Sequence, residues 1–249
     1  MEPHVEHPFQ GRIALVTGAS GGIGHAICVR LASEGAAVAL AYGTSAEPAV
    51  ELAARIEAGG GRAVALGADL RRADTPGELA DAVEAALGPI DVLISNAGSG
   101  RRQSLAEVSA EDFDEMVAVN LRAPFLLAQR VVPSMGERGF GRVLFMSSIA
   151  AFTGGIVGPH YAASKAGLHG LTHFLASRFA ASGVTVNALA PALIAETGML
   201  PGDPGQLSER VPVRRLGRPE EVAELALAIL ANPYVTNQVI SIDGGMHPR

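Results

Sequence analysis

The sequence predicts a doubly wound α/β fold in a single domain, with a seven-stranded, mostly parallel sheet and helices on both of its faces. Three observations predict it. Short β-branched or aliphatic runs alternate with longer amphipathic segments along the chain, the pattern of strand and crossover helix. The strand runs are almost continuously apolar, as a sheet covered on both faces requires. The first run leads directly into a glycine-rich turn followed by a helical pattern.

Taken in order, residues 13–17, 37–41, 63–67, 91–95, 142–147, 184–189 and 238–242 read as strands. Helical patterns begin near Gly22, Ala46, Thr75, Ala110, Tyr161 and Pro219. A loop rich in Gly and Pro, residues 196–204, follows the sixth strand. Ligands of open parallel sheets bind beyond the carboxyl ends of the strands, so this loop is placed to cover a site. A chain of 249 residues suits one large domain. That domain is expected over residues 11–249, behind a flexible segment at residues 1–10 that carries no readable motif.

Composition narrows the function. The net charge is −6 and the arginines are dispersed apart from short pairs, so no basic stripe suggests nucleic acid. No run of about eighteen apolar residues occurs and the first ten lack a signal-peptide core, so no membrane association and a cytoplasmic location are expected. The one cysteine, Cys28, excludes an intrachain disulfide and a cysteine metal cluster, and suits a reducing compartment. The seven histidines form no metal-ligand pattern of two at helical spacing with a carboxylate nearby, so no metal is expected.

Of nineteen basic residues eighteen are arginine, and the one lysine, Lys165, lies four positions after Tyr161. On a helix that spacing puts both on one face. An ammonium is a compact charge where a guanidinium is a wide planar fork, and a nearby cation favours a phenolate. Tyr161 is therefore a candidate general acid or base whose pKa Lys165 is expected to lower.

The glycine turn, Thr17-Gly18-Ala19-Ser20-Gly21-Gly22-Ile23-Gly24, has the form of a phosphate cradle: glycines permit close approach and a helix N-terminus supplies free N–H groups. Its spacing of Gly, three residues and Gly-x-Gly resembles that of the short-chain dehydrogenase/reductase family, and the resemblance runs from Gly11 to Met246. It implies a Rossmann-type fold. Asn120, Ser148, Tyr161 and Lys165 match the family's catalytic tetrad, with Ser148 thirteen residues before Tyr161. By this resemblance Ser148 polarises a carbonyl, Tyr161 transfers the proton, Lys165 also holds the nicotinamide ribose, and Asn120 holds a water that links Lys165 to solvent.

The same resemblance assigns cofactor contacts to Gly18, Ser20, Gly21, Gly22, Ile23 and Gly24, to Gly43 and Thr44 after the second strand, and to Asp69 and Leu70 after the third. It adds Asn96, Ala97 and Gly98 after the fourth strand, Pro191 and Ile194 beside the nicotinamide, and Tyr161 and Lys165 themselves. Tyr42-Gly43-Thr44-Ser45 holds no carboxylate that would repel a 2′-phosphate, which favours NADP(H) and leaves NAD(H) open.

Residues 190–199 and 211–223 look most like the 3-oxoacyl-(acyl-carrier-protein) reductase group. The implied substrate is a ketone or acyl thioester, with a polyketide, quinone, steroid or sugar-derived ketone as the rival. An acyl carrier protein would dock on arginines where this chain has Gly139 and Ser182, leaving the task to Arg138 and Arg178. Candidate substrate contacts are residues 98–103, 149–153, 155–160 and 193–201, with Arg101 or Arg102 for an anionic group and His160 beside the tyrosine. A non-catalytic nucleotide-binding scaffold would be signalled by a broken tetrad, and this one is intact. A homotetramer is implied, built on helices over residues 110–135 and 161–181, whose apolar residues exceed one buried stripe.

Overall fold

The computed structural model describes residues 8–198, 200 and 203–247. Strands β1 (Ile13–Thr17), β2 (Ala37–Tyr42), β3 (Ala63–Gly67), β4 (Val92–Ser95), β5 (Gly141–Met146), β6 (Val184–Pro191) and β7 (Val239–Ile242) form one sheet in the order β3-β2-β1-β4-β5-β6-β7. Every neighbouring pair is parallel. The winding reverses between β1 and β4, and the crevice at that switch point opens where Gly18 and Asn96 leave their strands.

Alternation along each strand divides the core in two. Ala14, Val16, Val38, Leu40 and Ile94 face α1 (Gly22–Ser33), α2 (Glu47–Ala58) and α9 (Pro219–Ala231). Leu15, Ala39, Leu93, Val143 and Phe145 face α3 (Thr75–Ala86), α5 (Ala123–Glu137) and α7 (Pro159–Phe179). Burying each large aliphatic side chain in these layers contributes about 1.5–3 kcal/mol before chain entropy is counted. This is why the strands carry no polar face.

Several boundaries differ from the sequence reading. The tyrosine helix begins at Pro159, because proline at a first helical position sacrifices no hydrogen bond. The pattern over residues 110–135 is not one helix: α4 (Ala110–Val117) passes through a π turn at Ala118–Arg122 before α5. Two short helices, α6 (Ala150–Thr153) and α8 (Pro204–Glu209), lie in segments where the sequence reading places no helical pattern. Phe9 is fully buried in the first core layer, so the packed chain reaches further toward the N-terminus than Gly11. One aromatic in a short segment gives no periodicity by which to read it. Residues 1–7 of the segment expected to be flexible lie outside the described residues.

Candidate active site

The turn after β1 is shaped by contacts that only glycine allows. Gly18 has φ +68°, and a Cβ there would lie 2.9 Å from the Ala97 Cα. A Cβ on Gly22 would lie 2.6 Å from the Glu196 carbonyl oxygen. Gly22 thus seats the turn after β6 against the start of α1. Asn96 binds the glycine turn from the other side: its Nδ2 donates to the carbonyls of Thr17 and Gly18 at 3.0 and 3.2 Å, while its N–H and that of Ala97 donate to Thr17 Oγ1. No side chain caps the N-terminus of α1, whose N–H groups face the crevice.

A cleft of about 520 Å³ lies over this turn. Gly18, Ser20, Gly21, Gly22, Ile23, Gly24, Gly43, Thr44, Asp69, Leu70, Asn96, Ala97 and Gly98 all line it. Its far wall holds a pair that the sequence reading missed. Arg71 forks onto Asp69, with both hydrogen bonds at 2.8 Å, and holds the Asp69 carboxyl down to about 2. The size, the absence of Cβ atoms where the turn is tightest and the open helix terminus suit the phosphates and adenosine of a dinucleotide.

A second cleft, of about 380 Å³, continues from the first, sharing Ile23, Asn96 and Thr197 with it. Ser148, Tyr161, Lys165, Pro191 and Ile194 line it. Apolar side chains from residues 149–157, with Leu193, Leu200 and Met246, form most of the remaining wall. The two adjacent serines have separate tasks. Ser147 Oγ donates to the Lys165 carbonyl at 3.1 Å and lies 2.8 Å from His169 Nε2. One hydroxyl proton serves only one acceptor, so His169 carries the proton of the second bond. Ser148 Oγ accepts from the Ala150 N–H at 3.2 Å and keeps its own proton for the cleft.

Tyr161 and Lys165 share a helix face as their spacing predicts, but their electrostatics differ from the expectation. Lys165 Nζ lies 5.8 Å from the centre of the tyrosine ring and donates to the Met146 carbonyl at 2.8 Å. Burial lowers its pKa to about 8. Burial also raises the pKa of Tyr161, with the Ser148 hydroxyl opposing. The expected lowering by Lys165 is therefore not what the structure gives: desolvation of the phenol dominates.

Asn120 lines neither cleft; it is fully buried in the π turn. Its Oδ1 accepts from the Ser99 N–H at 2.9 Å, and its Nδ2 donates to the Ser99 carbonyl and to Ser164 Oγ. A Cβ on Gly98 would lie 3.3 Å from both Asn120 Oδ1 and Lys165 Nζ. A side chain on Gly98 would therefore press on both groups.

The structure also sorts the expected substrate contacts. Ile149, Ala150, Thr153, Gly155, Ile156 and Val157 line the second cleft. Arg101 does not; it pairs with Asp112 at 3.3 Å. Arg102 is exposed on the same loop and lines neither cleft. His160 is fully buried with no hydrogen-bond partner on either ring nitrogen, and lines neither cleft. Of the expected lid, Met199 and Pro201 lie outside the described residues. Arg210, just beyond α8, lines the second cleft with no motif around it to mark it in the sequence.

A family model described as short chain dehydrogenase matches residues 12–204. The chain belongs to the short-chain dehydrogenase family. It is an NAD(P)-dependent oxidoreductase of that family. Among curated relatives, this dehydrogenase is similar to nodulation protein G of Azospirillum brasilense, with 39% identity covering 95% of this chain and 98% of that one. It is similar to a 3-oxoacyl-[acyl-carrier-protein] reductase of Synechocystis sp., with 37% identity covering 94% of this chain and 96% of that one. Among solved structures it resembles a blue fluorescent protein from a metagenomic library, determined in complex with NADPH. That match has a TM-score of 0.90 and 34% identity and covers 97% of this chain and 100% of the other. Among the described residues no helix of this dehydrogenase is long and apolar enough to cross a membrane.

Proposed function

We propose that this dehydrogenase uses NADPH to reduce the ketone of a 3-oxoacyl thioester to a secondary alcohol. The observation that carries this reading is the convergence of Ser148, Tyr161 and Lys165 on an apolar cleft that opens into the glycine-turn cleft. The likeness to a reductase of 3-oxoacyl groups supports the substrate class. The NADPH bound by the structural neighbour supports the cofactor, as does the absence of a carboxylate in residues 42–45.

In this reading the N-terminus of α1 holds the pyrophosphate, Gly43 and Thr44 receive the 2′-phosphate, Asp69 and Leu70 bracket the adenine, and Lys165 binds the nicotinamide ribose. The bound dinucleotide supplies the hydride that reduces the carbonyl carbon. Ser148, whose hydroxyl meets Tyr161 in the cleft, would donate to the carbonyl oxygen and stabilise the negative charge that gathers there. Tyr161 gives that oxygen its proton. Burial favours the protonated phenol, the form in which an acid catalyst must wait. Lys165, on the same helix face, would return a proton to Tyr161 and draw its own replacement from a water held near Asn120.

The contacts of Arg138 and Arg178 favour a thioester that is free of a carrier protein. Arg138 donates to the Ile90 carbonyl and pairs with Asp91 at 3.4 Å, and Arg178 stacks on Phe174 at 3.8 Å. Both guanidiniums are already engaged at the positions from which they would have to meet an acidic partner. Assembly as a homotetramer is supported by Phe113, Phe125 and Phe174, which α4, α5 and α7 leave partly exposed. A cytoplasmic location is supported by the single buried thiol, Cys28. Loss of NADPH absorbance with acetoacetyl-CoA tests the function; oxidation of NADPH by a quinone or steroid ketone alone would move the substrate elsewhere.

A further inference from the structure

The cleft that holds Ser148 and Tyr161 contains two cations and no carboxylate among its lining residues. One cation, Lys165, is buried and committed to the Met146 carbonyl. The other is Arg210, at the C-terminal end of α8. The one other arginine that lines either cleft among the described residues, Arg71, is held by the Asp69 carboxylate. Among the described residues Arg210 has neither an ion pair nor a side-chain hydrogen bond; it is an exposed residue of a mostly apolar lining that also includes Leu200 and Ile156. A guanidinium presents a rigid fork of donors matched to a carboxylate or phosphate. A wholly neutral ketone would leave this fork without use.

We propose that Arg210 is a specificity residue that binds an oxyanion, carboxylate or phosphate, carried by the ketone substrate away from its reacting carbonyl. The proposal rests on the ketone-reductase reading and sharpens its substrate class from apolar ketones to anionic ones. Two substrate pairs separate the sources of the anion: acetoacetyl-CoA against its neutral N-acetylcysteamine thioester, and acetoacetate against its ethyl ester. Arg210→Gln should raise KM roughly tenfold or more for the anionic member of one pair, leave its kcat within about twofold, and leave the neutral member unchanged. Arg210→Lys should recover part of the loss. A selective effect in the thioester pair assigns a phosphate and one in the acid–ester pair a carboxylate. Equal effects on charged and neutral members, or none, overturn the proposal.

If the wild-type protein reduces none of the four, the ketone-reductase reading fails for these substrates and the question for Arg210 passes to binding. Calorimetry on the NADPH-loaded protein then decides it. Preference for acetoacetyl-CoA or acetoacetate over its neutral partner in the wild type, lost in Arg210→Gln, supports the proposal; no such preference overturns it.

Discussion

The Lys165 ammonium donates to the carbonyl oxygen of Met146 at 2.8 Å, tying the tyrosine helix to the end of the strand that delivers Ser148. The adjacent Ser147 reinforces the joint by donating to the Lys165 carbonyl. An ammonium has three donors, so one bond to Met146 leaves two for the cleft.

Lys165→Arg should therefore fold and fail. The fork is too wide for a slot bounded by Met146 and Gly98, and a displaced cation neither fixes the ribose nor serves Tyr161. We expect thermal unfolding near that of the wild type and a fall in kcat/KM of roughly 100-fold or more, measured by NADPH oxidation. Wild-type turnover would show that charge alone matters at this position.

The buried ammonium also gives stability a pH dependence of known sign. Lys165 has a pKa lowered from 10.5 to about 8 in the folded chain. Between those values the unfolded chain holds a proton that the folded chain has lost, so this group makes stability rise with pH across that window. Tyr161, raised by burial, acts in the opposite sense only above its ordinary 10.0. Urea midpoints of the wild type should thus climb relative to those of Lys165→Met as pH goes from about 8 to 9.5. Parallel curves would mean that the lysine titrates normally.

Asn120 should matter to stability as well as to chemistry. Its side chain satisfies both backbone groups of Ser99 and meets Ser164, all in the interior. Asn120→Leu leaves those groups without partners, and we expect a loss of about 2–4 kcal/mol in unfolding free energy from urea titration. A loss below about 0.5 kcal/mol would place Asn120 outside the framework of the fold.

Gly43 offers the cleanest test of cofactor choice. No atom lies within 4 Å of where its Cβ would stand, so a long side chain fits there without displacing the backbone. Gly43→Arg should tighten NADPH relative to NADH by roughly tenfold through a charge-assisted bond to the 2′-phosphate. An unchanged ratio in fluorescence titrations of the two cofactors would put that phosphate elsewhere in the cleft.

Strands such as β1 and β3 were legible to the residue because each is a short apolar run closed by Gly or by the glycine turn. Ser148, Tyr161 and Lys165, singled out by type and separation, line one cleft, whereas Asn120 lines neither. What spacing cannot carry is a bend in the chain: the π turn that buries Asn120 lies inside an unbroken helical pattern, since its local propensities suit either winding. Nor does spacing carry environment. Desolvation, which lifts Tyr161 and lowers Lys165, depends on walls that β5, α6 and the 190s segment build together. Arg71 and Arg210 were missed for the same reason. Each is an ordinary surface arginine until folding brings Asp69 to one and the reaction cleft to the other.

In the proposed reduction of a 3-oxoacyl ketone, Tyr161 supplies the proton. NADPH oxidation with acetoacetyl-CoA, compared between the wild type and Tyr161→Phe with NADPH binding titrated on both, tests it most directly. In Tyr161→Phe, kcat should fall roughly 10²–10⁴-fold while NADPH affinity stays within about twofold. Undiminished turnover by Tyr161→Phe would contradict it.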